Sequence, residues 1–338
     1  MDIESLRTTA TALVAPGKGI LAADESTGTI QKRFDSIGVD STEEHRRAYR
    51  DMLFTTPGLG DHISGVILFD ETIRQSSADG TPFPEVLVKG GMIPGIKVDT
   101  GAKPLALFPG ETVTEGLDGL RGRLAGYAEL GARFAKWRAT IFIGDGLPTD
   151  QAIRANAHAM ARYAALCQEA TLVPIVEPEV LMDGAHTIDD CEIATARTLD
   201  ALYAELAVVR VQLPGTLLKV NMVLSGKECP TQAGPDEVAE STIRCLTAHV
   251  PGDVPGIVFL SGGQSDEDAT IHLNAMNARG AHPWELSFSY GRALQAPALK
   301  AWGGKAENLG AAQQAYAKRA RLNGLARSGD YKPEMEAA

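Results

Sequence analysis

Leu217-Leu218-Lys219-Val220-Asn221-Met222 is a short apolar run with a lysine at its centre. Its length and branched side chains read as a buried strand, where a charge has to be paired, neutralised or used. Similar runs recur at Ile20–Asp24, Ile63–Phe69, Met92–Val98, Arg133–Ile141, Leu172–Glu179, Ile257–Ser261 and Leu286–Tyr290. Their starts lie roughly 30–45 residues apart, the length of a βα unit with some loop insertion. Between them lie helical patterns. One opens at Pro148-Thr149 and continues through Ala157, Met160, Ala164 and Cys167; another carries Cys191, Ala194, Thr198, Leu202 and Leu206. Gly234-Pro235 marks a further helix start, and Ser265 with Asp268 resembles a capping box.

Eight strands alternating with helices predict an α/β fold, a (β/α)8 barrel of TIM type rather than an open sheet. No internal repeat, low-complexity tract or long Pro/Gly/Ser linker divides the chain, so one domain is expected over residues 1–325. Beyond Leu325 the sequence turns polar and loses periodicity, which predicts a mobile tail over residues 326–338. Pro297, inside the helix-like stretch Ala293–Trp302, predicts a kink or a new helix start.

The bulk properties fit a soluble globular protein of 338 residues, with a mean hydropathy of -0.07. A net charge of -11 disfavours nonspecific binding to nucleic acid or acidic lipid. Any anionic ligand must then be drawn in by local Lys and Arg. The N-terminus carries no long apolar core that would read as a secretory signal, and no segment is long enough to span a bilayer. A cytoplasmic protein is expected, with no membrane partner. Cys167, Cys191, Cys229 and Cys245 form no CxxC pair, and the histidines form no HExxH pattern, so neither a metal nor a cofactor is expected.

The strand ends carry the chemistry. Asp24, Lys97, Lys136 with Arg138, Glu177 with Glu179, Lys219, Ser261, and Ser289 with Arg292 all fall near the C-terminal ends of their runs. Residues two apart share a strand face, so Lys136 joins Arg138, Glu177 joins Glu179, and Lys219 joins Asn221. In such barrels the active site lies at that rim. One Lys–Glu pair would read as an internal salt bridge. Two lysines, an arginine and three carboxylates cost too much to desolvate as scaffolding alone.

A lysine is a nucleophile only when neutral, and from a reference value near 10.4 only about one in 2,500 is neutral at pH 7. Closing that gap takes roughly 4.6 kcal/mol. A second ammonium about 4 Å away supplies about 4 kcal/mol at an effective dielectric of 20. Lys136 is the candidate for that second charge, which makes Schiff-base chemistry on Lys219 a concrete expectation. Asp24, Glu177 and Glu179 are the carboxylates available to move protons. Leu260-Ser261-Gly262-Gly263 and Ser289-Tyr290-Gly291-Arg292 follow the seventh and eighth runs, where such barrels usually hold phosphate. Ser26, Thr29, Lys32 and Arg33, together with Lys97, form a second cluster able to meet an anion.

These motifs stand in a familiar order. Gly17-Lys18-Gly19-Ile20-Leu21-Ala22-Ala23-Asp24-Glu25-Ser26-Thr27-Gly28, Phe134-Ala135-Lys136-Trp137-Arg138 and Pro174-Ile175-Val176-Glu177-Pro178-Glu179 come first. Gly215-Thr216-Leu217-Leu218-Lys219, Phe259-Leu260-Ser261-Gly262-Gly263-Gln264-Ser265 and Phe288-Ser289-Tyr290-Gly291-Arg292-Ala293-Leu294-Gln295 complete them. From about Pro16 to Leu325 the chain resembles class I fructose-1,6-bisphosphate aldolases. The resemblance implies that Lys219 forms the Schiff base, that Asp24 and Glu177 transfer protons, that Glu179 positions the lysines, and that Lys136 acts electrostatically and as a relay. It implies Ser261, Gly262, Gly291 and Arg292 around one phosphate, and Ser26, Thr29 and Lys97 around the other, with Arg138 nearby. It further implies metal-independent cleavage of fructose 1,6-bisphosphate to dihydroxyacetone phosphate and glyceraldehyde 3-phosphate in glycolysis and gluconeogenesis, by a homotetramer.

The sequence departs from the family pattern in places. Val220 follows the lysine where proline is usual, and Thr29 stands where many members have serine. Many animal members end in a tyrosine that assists proton exchange. Its absence here predicts that enamine protonation relies on another group, with Tyr331 a candidate. Two other functions compete. Glu177 and Glu179 are too close on one strand to flank a sugar bond as in a glycoside hydrolase. A non-catalytic scaffold or binding protein on the same fold would require loss of the lysine or the acids, and both are present.

Overall fold

Each of the eight apolar runs forms one strand of a closed parallel barrel in this computed structural model, which describes residues 2–337. Ala338 of the expected tail therefore lies outside the described residues. The strands are β1 (Gly19–Ala23), β2 (Ile63–Leu68), β3 (Ile93–Lys97), β4 (Gly101–Pro104), β5 (Thr112–Glu115), β6 (Phe134–Ile141), β7 (Val173–Val180), β8 (Leu217–Val220), β9 (Gly256–Phe259) and β10 (Glu285–Tyr290). The barrel order is β1-β10-β9-β8-β7-β6-β3-β2, so chain neighbours are spatial neighbours throughout. The remaining two, β4 and β5, pair antiparallel as a separate hairpin after β3 that the sequence reading did not contain.

Helices fill the connections: α1 (Ile3–Leu13), α2 (Thr27–Asp35), α3 (Glu43–Phe54), α4 (Asp70–Ile73), α5 (Phe83–Lys89) and α6 (Leu120–Glu129) in the first half. The second half holds α7 (Asp150–Glu169), α8 (Ile188–Val208), α9 (Pro235–His249), α10 (Asp266–Asn277), α11 (Arg292–Trp302) and α12 (Leu309–Arg327). Thr149 caps α7 through the Ala152 N–H at 3.2 Å, and Gly234 precedes Pro235 at the start of α9. Ser265 caps α10 through the Asp268 N–H at 3.0 Å. The reciprocal box occurs instead at α8, between Thr187 and Asp190.

The alternation of side chains along the strands builds the site. Ile20, Ala22, Ile67, Phe134, Val173, Ile175, Leu217 and Val258 point into the barrel, where they pack with Leu6, Ala10 and Leu13 of α1. That helix closes the N-terminal end and makes the floor dry. Two residues further along the same faces stand Asp24, Lys136, Glu177 and Lys219, so period two lifts the charged layer directly above the apolar one. Gly95 leaves room for this floor: a Cβ there would lie 2.3 Å from the Phe134 ring. The opposite faces, including Leu21, Val66, Ile96, Trp137, Val176, Leu218 and Phe259, pack into the continuous core under the helices.

Two details differ from the sequence reading, at Pro297 and at Asn221. The α11 helix runs unbroken through Pro297, held on both sides by buried Leu294, Ala298, Leu299 and Trp302. Asn221 lies past the end of β8 and leaves the face of Lys219. Its Oδ1 accepts from the Val180 N–H at 3.0 Å and its Nδ2 donates to Thr195 Oγ1 at 3.1 Å, tying β7 to α8. Beyond Leu325, α12 continues to Arg327, and a short turn spans Pro333–Glu336. There Tyr331 is buried, its hydroxyl donates to Glu336 Oε1 at 3.0 Å, and Glu336 pairs with Arg319 at 2.5 Å.

Candidate active site

A cavity of about 700 Å³ opens at the C-terminal end of the barrel. Asp24, Ser26, Thr29, Lys97, Lys136, Arg138, Glu177, Glu179, Lys219, Ser261, Gly262, Ser289, Gly291 and Arg292 all line it. Arg33 lines it as well, whereas Lys32 and Tyr331 do not. Eight strand ends and their loops thus converge on one polar chamber above the sealed floor.

Its centre is an alternating set of charges. Lys219 Nζ lies 3.0 Å from Glu177 Oε1, and Lys136 Nζ lies 3.2 Å from Glu177 Oε2. Lys136 also meets Asp24 Oδ2 at 2.7 Å. Lys136, Glu177 and Lys219 are each no more than 5% exposed, so these pairs are shielded from water. Burial opposes ionisation of Asp24, but Lys136 and Lys219 outweigh it and hold its carboxyl well below the usual range. Glu177 is shifted the same way: burial raises it, and Lys136, Lys219 and Arg138 bring it down further than burial lifts it. Burial would neutralise Lys136, yet Asp24, Glu177 and Asp99 keep it firmly cationic. The two-lysine picture is therefore incomplete, because Lys136 is paired with two carboxylates, Asp24 and Glu177, and Glu177 stands between it and Lys219.

Glu179 differs from the expected role. Its carboxylate meets the Arg138 guanidinium at 2.5 Å rather than a lysine. In the β6–β7 register Arg138 sits opposite Glu177, two residues before Glu179 on the same strand face, so the Arg138–Glu179 pair is diagonal. Glu177 Oε2 is buried and has no hydrogen-bond partner beyond its ion pair with Lys136. The Ser289 hydroxyl is likewise buried without a partner, facing the cavity.

The residues of the two expected anion clusters, Lys32 apart, line the same cavity. Gly262 adopts a φ of +53°, which favours glycine and turns the loop after β9 toward the cavity. Arg292, at the first turn of α11, meets Asp266 Oδ1 at 3.4 Å and donates to the carbonyls of Gly262 and Gln264. On the other side, the hydroxyls of Ser26 and Thr29 are 3.1 Å apart at the start of α2. Lys97 Nζ is held by Asp99, 2.6 Å from Oδ1 and 2.7 Å from its carbonyl.

Two carboxylates of the site were missed from the sequence. Asp99 follows β3 by two residues, is buried, and takes both Lys97 and the Arg138 N–H, the latter at 3.3 Å. Its signal was the Lys97-Val98-Asp99 spacing, which continues the interior face past the apolar run. Glu25, next to Asp24, meets Arg50 at 2.7 Å and also Arg33, and accepts from Gln295 Nε2 at 2.9 Å. It ties the end of β1 to α2, α3 and α11, and no local pattern announces those distant partners. Among the described residues, no three His, Cys, Asp or Glu side chains are grouped to hold a metal ion.

The sequence profile of the glycolytic class-I fructose-bisphosphate aldolases matches residues 5–338. A probable fructose-bisphosphate aldolase class 1 from Xanthomonas axonopodis pv. citri is 60% identical over 98% of this chain and 100% of its own length. The cytosolic fructose-bisphosphate aldolase 4 of Arabidopsis thaliana is 55% identical over 95% of this chain and 82% of its own. A solved fructose-bisphosphate aldolase from Plasmodium falciparum, in complex with TRAP and a small molecule inhibitor, superposes with a TM-score of 0.97 at 50% identity. That match covers 98% of this chain and 96% of the other. With the charged chamber, the eight-stranded barrel and relatives matched along nearly the whole length, the chain belongs to the class-I fructose-bisphosphate aldolase family and is a lyase.

Proposed function

We propose that Lys219 carries the Schiff base in the cleavage of fructose 1,6-bisphosphate, with Glu177 as its proton partner. The observation that carries this reading is the 3.0 Å separation of Lys219 Nζ from Glu177 Oε1. Glu177 takes a proton from the Lys219 ammonium, leaving a neutral amine and a carboxylic acid. The amine adds to the C2 carbonyl, and the Glu177 acid then protonates the carbinolamine hydroxyl, which departs as water. The resulting iminium is an electron sink. Asp24, held ionised beside Lys136, accepts the C4 hydroxyl proton as the C3–C4 bond breaks. Glyceraldehyde 3-phosphate leaves, the proton taken up by Asp24 is returned to C3 of the enamine, and hydrolysis of the resulting iminium by water gives dihydroxyacetone phosphate and the free lysine.

Lys136 acts electrostatically between the two carboxylates, and Glu179 acts through Arg138. One phosphate is held by Ser261, Gly262, Gly291 and Arg292, with Ser289 beside them. The other is held by Ser26, Thr29 and Lys97, with Arg138 nearby. The glycine turn at 262 and the first turn of α11 present backbone N–H groups suited to an anion, which supports the first seat. We also infer a homotetramer working in the cytoplasm. The family resemblance and the cytosolic relative in Arabidopsis thaliana support this, and no described helix is long and apolar enough to cross a membrane.

Cleavage assayed in the presence of EDTA, in the parent and in Lys219→Met, tests the reading. Activity in the parent with none above background in the variant is expected. Cleavage by Lys219→Met, or loss of the parental activity to EDTA, would overturn it.

A further inference from the structure

Behind the Ser261–Arg292 phosphate seat lies a buried pair that does not line the cavity. Gln264 and His272 are 5% and 8% exposed. The Gln264 side-chain amide donates to the Ser261 carbonyl at 3.1 Å, and the Gln264 backbone carbonyl accepts from the Arg292 guanidinium. One residue therefore joins the serine and the arginine of the seat. Gln264 Oε1, in turn, lies 2.6 Å from His272 Nδ1 on α10. We propose that Gln264 and His272 are positioning residues of the phosphate seat, with His272 fixing the Gln264 amide so that Ser261 and Arg292 are held as one unit.

The assignment of donors follows from the acceptors. The Ser261 carbonyl can only accept, so the Gln264 NH2 faces it and the Gln264 oxygen faces His272. His272 Nδ1 must then carry the hydrogen. A second weak contact fixes the same orientation: Gln264 Nε2 lies 3.7 Å from Met222 Sδ, beside the end of β8. Burial pushes His272 below its ordinary value, with Asp268 partly opposing, so the ring is neutral at neutral pH. Without the ring donor the amide is free to rotate, and its NH2 no longer stays on the Ser261 carbonyl. The turn from Ser261 to Gln264, whose last carbonyl receives the Arg292 guanidinium, then keeps only the Gln264 backbone N–H on the Ser261 carbonyl and loses its anchor to α10, while Lys219 and Glu177 are untouched.

The inference rests on the phosphate role given to Ser261 and Arg292, so the experiment separates the two. KM and kcat for fructose 1,6-bisphosphate are measured in the parent, Ser261→Ala, Arg292→Ala, Gln264→Ala, His272→Leu and His272→Asn, each checked for folding by its melting midpoint. The expected result is a rise in KM of about threefold to tenfold in Gln264→Ala and His272→Leu, with kcat within about twofold. His272→Asn keeps an N–H donor near the Nδ1 position and is expected to keep the parental KM. Parental KM in His272→Leu, or equal impairment in His272→Leu and His272→Asn, overturns the positioning role. If Ser261→Ala and Arg292→Ala leave KM unchanged, the phosphate seat itself is misassigned and the positioning role falls with it. If they raise KM and His272→Leu does not, only the positioning role falls. His272→Phe replaces the leucine variant should that one not fold.

Discussion

Glu177 bridges Lys219 and Lys136, one carboxylate oxygen on each ammonium at 3.0 and 3.2 Å. In the mechanism proposed above, this bridge places one carboxylate between two buried amino groups, within reach of both. On that proposal the nucleophile is generated by proton transfer to Glu177 in addition to any repulsion between the two amino groups.

Glu177→Gln preserves the shape of the bridge and removes the proton acceptor. Schiff-base formation in this variant is expected to slow by about 10²–10⁴-fold. Stopped-flow trapping with borohydride measures it, and trapping at the parental rate would remove Glu177 from that role.

Asp24→Asn leaves Lys136 with one counter-charge in a buried site. A stability loss of about 3 kcal/mol is expected, the low end for a broken buried pair because Glu177 stays in place. Urea unfolding at neutral pH reads it, and an unchanged midpoint would contradict the ion pair.

The same aspartate sets part of the acid behaviour. Its folded-state value lies below its unfolded value, so the unfolded chain binds the proton more readily. The stability it contributes is complete above roughly pH 4 and is lost as the pH falls further, toward its folded-state value. Glu177, also shifted down, adds to the same slope. Melting midpoints from pH 6 to pH 3 should fall less steeply in Asp24→Asn than in the parent; parallel curves would refute the linkage.

Arg292→Ala removes a charge-assisted contact to phosphate worth about 1.5–3 kcal/mol, so KM for the bisphosphate should rise about ten- to hundredfold. Steady-state kinetics with fructose 1,6-bisphosphate decide this. A KM equal to the parental value would place the phosphate elsewhere.

The floor makes its own prediction. Phe134→Ala should cost about 3–5 kcal/mol. Gly95→Ala should cost about 1–3 kcal/mol, because the new methyl meets the Phe134 ring. Combining Gly95→Ala with Phe134→Leu should cost less than the sum of the two single changes. Strict additivity in denaturant unfolding would show that the two side chains do not compete for space.

Much of this molecule is legible in its sequence, for a physical reason. Barrel strands are buried on both faces, so they appear as short apolar runs, and any polar residue at their C-terminal ends stands out. That is how Asp24, Lys136, Glu177 and Lys219 can be found together before any contact is known. What escapes is set by long-range pairing. The β4–β5 hairpin consists of short polar strands, and it is anchored by Asn156 of α7, which accepts from the Thr114 N–H and donates to the Thr112 carbonyl. Glu25 finds Arg50 and Gln295 only through the fold. Glu179 meets Arg138 by a diagonal contact between β6 and β7, which a single sequence does not display. Asn221 shares its parity with Lys219 yet leaves the face because β8 ends at Val220.

The most direct test reduces the enzyme with borohydride in the presence of dihydroxyacetone phosphate and maps the modified peptide by mass spectrometry. The expected result is a single adduct on Lys219, absent in Lys219→Met. An adduct on Lys136 or another lysine, or continued labelling of Lys219→Met at the parental level, would contradict the assignment of the nucleophile.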